Sequence, residues 1–367
     1  MTQSSVTPGT SLLLDNPYQH YAPTGGVAPF PPFSKNGATP PSNTTFVTPT
    51  NIQAAFNPNF VLPWQQSWNL SIQHQFPFDI LTTVAYVGSE AYHIAVPNDL
   101  NPGIYTAGGA RTTFPQFSSV LVYESDGVSN YNAIQISAQK NLSHHFQFIS
   151  NYTFAKAMDE GSQSDLSSGQ GQSDPFSLRH DYGISKLNVP FIWSNTLVAD
   201  SPDLKGRSAL IRYGLGSWEL SGVGTITAGS PFSVAGGNGS NNSESQANSD
   251  RADVTGQPFN VKQGPKSHWL QQYFNPAAFK INAPGTFGTS GRNILRAPRR
   301  DDIDMMLAKN FPFRDQYQIQ LRWEMFNATN TPVFAAPTAD PSSSADGQIV
   351  STAGSPRIMQ FGAKLNF

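Results

Sequence analysis

The chain contains no cysteine, so disulfides and thiolate chemistry are excluded. Charged side chains are scarce, at 13% of 367 residues against a soluble-protein norm of about 25%. The formal net charge is −2 and no basic block occurs, so nucleic acid is not expected as a partner. No stretch approaches the ~18 consecutive apolar residues of a membrane-spanning helix. Met1 to Thr10 lack the basic start and apolar run of a secretory signal. What is plentiful is glycine (30) and proline (29), a profile of strands joined by turns and polar loops rather than of a helical enzyme.

The informative pattern is alternation. From Arg357 to the end, Met359, Phe361, Ala363, Leu365 and Phe367 share one face, and Gln360, Gly362, Lys364 and Asn366 share the other. Only a strand sends successive side chains to opposite faces. About 11 residues is also the length of a tilted strand that crosses a hydrocarbon layer. A final strand that is oily on one side, wet on the other and ends on an aromatic residue predicts the closing strand of a transmembrane β-barrel.

The same period predicts strands over 66–76, 80–88, 131–140, 187–199, 217–228, 301–311 and 316–326, with a further one through Phe146, Phe148, Tyr152 and Phe154. Pro190 interrupts one of them, because it cannot donate a ladder hydrogen bond. The alternation is cleanest where Tyr317, Ile319, Leu321, Trp323 and Met325 oppose Gln318, Gln320, Arg322 and Glu324. An apolar run at 119–123 is expected to prolong a neighbouring strand beyond the membrane. Residues 1–63 show no period and are expected to be extracellular loop or coil, with 64–367 forming the barrel portion. Residues 236–250 are low-complexity Gly, Asn and Ser.

These readings give roughly nine strands whose connections alternate short and long, so that all long loops emerge at one end. The expected fold is all-β: a partial antiparallel transmembrane β-barrel with long extracellular loops.

Several segments carry a family resemblance. Tyr131 to Gln135 (YNAIQ), Asn151 to Asp159 (NYTFAKAMD), Trp218 to Gly222 (WELSG) and Phe274 to Phe279 (FNPAAF) resemble stretches of TonB-dependent receptors of the Oar-like type. So do Pro284 to Gly288 (PGTFG), Gly291 to Arg296 (GRNILR), Lys309 to Pro312 (KNFP) and Glu324 to Asn327 (EMFN), in order from about Pro63 to Phe367. The resemblance implies the C-terminal part of a barrel of about 22 strands, plugged and energised through TonB. It further implies that Phe361, Ala363, Leu365 and Phe367 form the signal read by the barrel-assembly machinery. The signal peptide, plug and TonB-binding box of that family are not found in this sequence. The chain is therefore expected to be a fragment of a longer outer-membrane protein that takes up a nutrient, with TonB reached through a plug outside this chain.

No catalytic, cofactor-binding or metal-ligating set is expected. His144-His145 sits at a turn without a third ligand at useful spacing, and a solvated turn explains it. Arg179-His180-Asp181 resembles acid–base machinery only superficially. Gly285 to Gly291 lacks the Lys-Ser/Thr pair of a phosphate loop, so its glycines are expected to supply positive φ. Arg299-Arg300-Asp301-Asp302 is expected at a solvated rim, near lipopolysaccharide phosphates. Trp64, Trp68, Trp218, Tyr317 and Trp323 are candidates for the aromatic girdles facing outer-membrane lipid. Gln318, Gln320, Arg322 and Glu324 are expected to face the lumen. A soluble or surface β-sandwich or adhesin that binds carbohydrate shares the alternation and stands as the alternative.

Overall fold

The computed structural model describes residues 50–161, 172–204, 206–237, 239, 241–246, 249–261, 265–313 and 317–366. Its strands are β1 (Thr50–Phe56), β2 (Trp64–Phe76), β3 (Ile80–Asp99), β4 (Phe117–Ser143), β5 (Phe146–Asp159), β6 (Gly183–Ile184), β7 (Phe191–Asp200), β8 (Trp218–Thr227), β9 (Pro231–Phe232), β10 (Asp253–Val254), β11 (Phe279–Lys280), β12 (Leu295–Arg296), β13 (Arg300–Phe313), β14 (Tyr317–Phe326) and β15 (Ile358–Asn366).

Nine of them form a meander in the order β2-β3-β4-β5-β7-β8-β13-β14-β15. Every neighbouring pair along it is antiparallel. Each of the expected strands is present. β7 begins one residue after Pro190, whose carbonyl instead accepts from Ala155 N at 2.9 Å. The sheet does not close among the described residues, since β2 and β15 each have a single neighbour.

The register shows what the alternation achieves. Leu70, Tyr86, Ile134 and Phe154 lie side by side across four strands. The adjacent row is Ile72, Val84, Ile136, Tyr152 and Trp193. On the opposite face, Gln73, Thr83, Ser137, Asn151, Ser194, Thr225 and Asp302 make an unbroken polar row. The apolar face is uncovered, with Leu70 69% and Ile72 71% exposed. A continuous apolar surface of this size is suited to lipid and costly in water. The nine long strands make one sheet and no second large sheet packs on it among the described residues, so the β-sandwich alternative is not realised.

Two features depart from the expected boundaries. β3 and β4 outrun the membrane-length segments, reaching Asp99 and starting at Phe117, with register shifts between Ala91 and Val96. Gly127 permits the close approach there, since a Cβ would come 2.7 Å from the Ile94 carbonyl oxygen. The 119–123 run lies in this extension, as expected. Within the stretch expected to be loop or coil, Thr50–Phe56 is a strand. It pairs parallel with the β4 extension, and Phe56 packs on Tyr123 at 5.3 Å and on Phe60 at 5.2 Å. It is held by a neighbouring edge, not by an alternation of its own. Residues 1–49 lie outside the described residues.

The connections after β3, β5, β8 and β14 are long, and those after β2, β4 and β13 are short. The core lies in the long-connection layer, where Val234, Ala252, Phe274, Ala278, Phe279 and Leu295 are buried together. The small antiparallel ribbons β9–β12 and β10–β11 belong to the same layer. Burial of large apolar side chains thus sits in this layer and in the β3–β4 extension, because over the membrane-length strands the apolar face points away from the protein.

Candidate functional site

At the long-connection end, side chains from several loops surround a cavity of about 310 Å³. Its lining includes Val96, Glu160, Ser173, Asp181, Arg251 and Arg292. Asp181 closes the short helical turn Leu178–Asp181 and is buried. Its carboxylate accepts from Ser173 N at 2.7 Å and Ser173 Oγ at 2.6 Å. With its nitrogen turned inward, the Gln172 amide adds a donor at 2.8 Å.

Arg251, from the connection after β8, pairs with Asp181 and donates to Ser173 Oγ at 2.9 Å, His180 O at 2.7 Å and Ser290 O at 2.9 Å. Arg292 donates to Asp181 O at 2.6 Å and pairs with Asp159 at the end of β5. Asp250 accepts from Ser243 N at 2.8 Å, Ser243 Oγ at 2.6 Å and Asn282 Nδ2 at 3.1 Å.

A second buried pair, Arg111–Asp99 at 2.6 Å, ties down the connection after β3, and Arg111 Nη2 reaches Gln246 O at 3.1 Å. The connection after β14 joins through Ala235 N to Ala339 O at 2.9 Å and Tyr273 N to Gly347 O at 2.7 Å. All four long connections are therefore stitched into one layer. Charge-assisted and bidentate bonds are the strong kind, and here they link loops far apart in sequence.

Burial also tunes Glu160, which lines the cavity, and His180, the chain neighbour of Asp181. It pushes the Glu160 carboxyl above its ordinary range, opposed by a hydrogen bond from Val128 N. Burial, and then the positive charge of Arg251, hold the His180 imidazole below its ordinary value. Both shifts favour the uncharged form. The buried guanidiniums and carboxylates face one another, so their hydrogen-bonding capacity goes into joining loops.

A model of the outer membrane beta barrel domain family matches residues 2–360. The chain belongs to that family. Its localisation is the outer membrane, which agrees with the uncovered apolar face. In fold the barrel domain is similar to the outer membrane transporter YddB from Escherichia coli, with TM-score 0.46, 10% identity, 88% of this chain and 35% of that chain covered. It is also similar to the ferripyoverdine receptor of Pseudomonas aeruginosa, with TM-score 0.42, 11% identity and coverage of 83% and 27%. A third is the ferric-catecholate import receptor Fiu from E. coli K12, with TM-score 0.42, 12% identity and coverage of 89% and 31%. The barrel domain thus spans about a third of the length of these proteins. No curated protein matches it.

The interface, lumen-facing and assembly-signal residues expected from the sequence lie away from the cavity. Gln318, Gln320, Arg322 and Glu324 share the polar face of β14, where Gln320 bonds Asn310 at 3.1 Å, Arg322 approaches Glu324 at 3.5 Å and Gln360 bonds Glu324. Phe361, Ala363 and Leu365 lie on the apolar face of β15, paired with Trp323, Leu321 and Ile319. Phe361 is 80% exposed and stacks on Trp323 at 6.0 Å. Phe367 lies outside the described residues. Trp64 and Trp68 stand toward the long-connection end of β2, and Trp218 and Tyr317 begin β8 and β14 at the short-turn end. Trp323 stands three residues inside the loop end of β14.

His144 and His145 form the β4–β5 turn with φ of 52° and 64°, and His145 meets Asp200 at 2.8 Å. Arg299 and Arg300 pair with Asp301 at 3.0 Å and Asp302 at 2.7 Å.

Sequence reasoning meets Asp181 only within Arg179-His180-Asp181, whose resemblance to acid–base machinery it sets aside, and passes over Arg251. The one signal available was that Asp159 and Arg292 each belong to a segment that carried the family resemblance.

Gly285 and Gly288 have φ of 75° and 80°, as expected of that loop, whereas Gly291 does not adopt a positive φ. At Gly288 a Cβ would fall 1.8 Å from the Arg251 carbonyl oxygen. Gly288→Ala is expected to cost more than the ~1–3 kcal/mol of the left-handed backbone alone, because it displaces Arg251 as well. Faster protease clipping of the loop layer, with the barrel still inserted, is the measured outcome; unchanged clipping would refute the fit.

Proposed function

We propose that this chain is the C-terminal part of an outer-membrane receptor of the TonB-dependent, Oar-like type, in which it contributes the loop layer that meets a nutrient and part of the wall through which it passes. The chain performs no chemistry of its own. The observation that carries this reading is the stitching of all four long connections into one layer around a polar cavity, at one end of a sheet whose apolar face is uncovered.

In this reading the polar face, with Gln318, Gln320, Arg322 and Glu324, lines the lumen against a plug that engages TonB. Trp64, Trp68, Trp218, Tyr317 and Trp323 meet outer-membrane lipid and lipopolysaccharide at the interfaces. Phe361, Ala363, Leu365 and Phe367 serve the assembly machinery. Long loops face outward and short turns face the periplasm, as in other bacterial barrels.

Because the chain has no cysteine, a single substitution gives it one thiol, and the unsubstituted receptor as the cell makes it is the control for thiols elsewhere. Ser344→Cys, in the connection after β14, is expected to react with an impermeant maleimide on intact cells. His144→Cys is expected to react only after the outer membrane is opened. The reverse pattern would invert the barrel, and recovery of the protein in the soluble fraction would end the reading.

A further inference from the structure

The connection between β7 and β8 is unlike the other turns at its end of the sheet. It runs through 201–217 and contains a helix, Ala209–Leu215, capped by Gly216 N donating to Arg212 O at 3.1 Å. The helix is apolar nearly all round. Leu210 is 87% and Leu215 67% exposed, and Ile211 and Tyr213 are exposed as well. Arg212 is its one charged residue, with its guanidinium 5.4 Å over the Tyr213 ring. A helix that is hydrophobic on most of its circumference belongs against apolar surroundings, not in water.

The tether shows which surroundings these are. Trp218 Nε1 donates to Gly214 O at 2.8 Å, and Ser201 Oγ accepts from Trp218 N at 2.8 Å while donating to Leu215 O at 3.0 Å. Trp218 stands on the apolar face, in the row that continues through Lys309, Leu321 and Ala363. The C-terminal end of the helix is thereby fastened to the outer side of the sheet, not beneath its polar face.

Lys309 completes the rim. Its ammonium sits 5.1 Å from the Trp218 ring and 5.5 Å from the Phe311 ring and bonds Gly216 O. This is a cation drawn from the apolar face to the water boundary, as long basic side chains behave at a membrane edge.

We propose that Ala209–Leu215 is an interfacial anchor that lies in the headgroup layer of the leaflet at the short-turn end, its occupant being phospholipid. Leu210, Ile211, Tyr213 and Leu215 enter the upper acyl region, and Arg207, exposed just before the helix, and Arg212 meet lipid phosphates. Asp203, the nearby acid, is turned back to Ser217 Oγ at 3.3 Å and leaves that charge match intact. The proposal rests on the outward orientation of the apolar face, so its test carries a control for that orientation.

An environment-sensitive fluorophore on Leu210→Cys, in the complete receptor reconstituted in phosphatidylethanolamine and phosphatidylglycerol vesicles, is read against brominated acyl chains and against aqueous iodide. The same label on Ile136→Cys reports the outward sheet face, and on Ser344→Cys the aqueous loops. The expected result is quenching at Leu210 by brominated lipid, weaker than at Ile136, with little effect of iodide. Quenching by iodide, as at Ser344, would place the helix in water and overturn the proposal. Protection from both quenchers would mean that protein covers it, and would overturn it equally. If the Ile136 label escapes brominated lipid, the outward reading itself fails, which is a distinguishable result.

Discussion

Replacing Arg251 by methionine is expected to unlock the loop layer while leaving the barrel in the membrane. Both partners of the Arg251–Asp181 pair are nearly inaccessible to solvent. Removing the guanidinium leaves the Asp181 carboxylate buried with only Ser173 and Gln172 as donors, and leaves the carbonyls of His180 and Ser290 without theirs. Breaking a buried pair on one side costs about 3–5 kcal/mol. Roughly a hundredfold to a few thousandfold more open loop layer follows, since every ~1.4 kcal/mol is tenfold. The strands share none of these bonds, so the loss is confined to the loops. The measurement is trypsin cleavage after the exposed Arg179 and Lys186 on intact cells. Replacing both partners, as Asp181→Leu with Arg251→Met, should recover part of the protection, because a well-packed apolar pair avoids the stranded charge. A single variant that clips no faster than the parent would show that the pair does not join the loops.

The second large effect separates the two faces of the sheet. Ile136 lies in the exposed apolar row with Ile72, Val84, Tyr152 and Trp193, and its neighbour Gln135 points to the opposite face. Arginine on the lipid face near the bilayer midplane costs about 2–4 kcal/mol, while lumen positions accept it. Ile136→Arg should therefore sharply reduce the amount of heat-modifiable, folded protein in the outer membrane. Gln135→Arg should leave it close to the parent level. Equal losses would mean that the polar face is not a lumen, and an effect at Gln135 alone would turn the sheet inside out.

Legibility in the sequence followed burial. Where one face meets lipid and the other water, alternation is strict, and β2, β8, β14 and β15 appear within two residues of their expected bounds. It disappears where both faces are covered. Val120, Leu121, Val122 and Tyr123 are buried in succession, which is why only a short apolar run marked the β4 extension. β1 left no trace, because its partner edge and not its own pattern makes it a strand. The cavity was the least legible part. Asp181 and Arg251 are 70 residues apart, and Asp159 and Arg292 are 133 apart. No local period reports such pairs, and only the family resemblance of the segments that hold Asp159 and Arg292 sets any of the four apart from other charged loop residues. The apolar and polar positions of β14 and β15, by contrast, were legible as opposite faces of strands.

The meander has a further consequence in the sense of its end strands. Neighbours alternate in direction over nine positions, so β2 and β15 run the same way. Joining these two edges directly, or rotating a second copy of the chain about the barrel axis to meet them, would create a parallel seam. Parallel ladders have a slanted bond pattern and are slightly weaker per residue. A wall that is antiparallel throughout needs an odd number of additional strands between the two edges, with the first and last of them running opposite to both β2 and β15. The nine strands therefore constrain the parity and direction of whatever completes the ring.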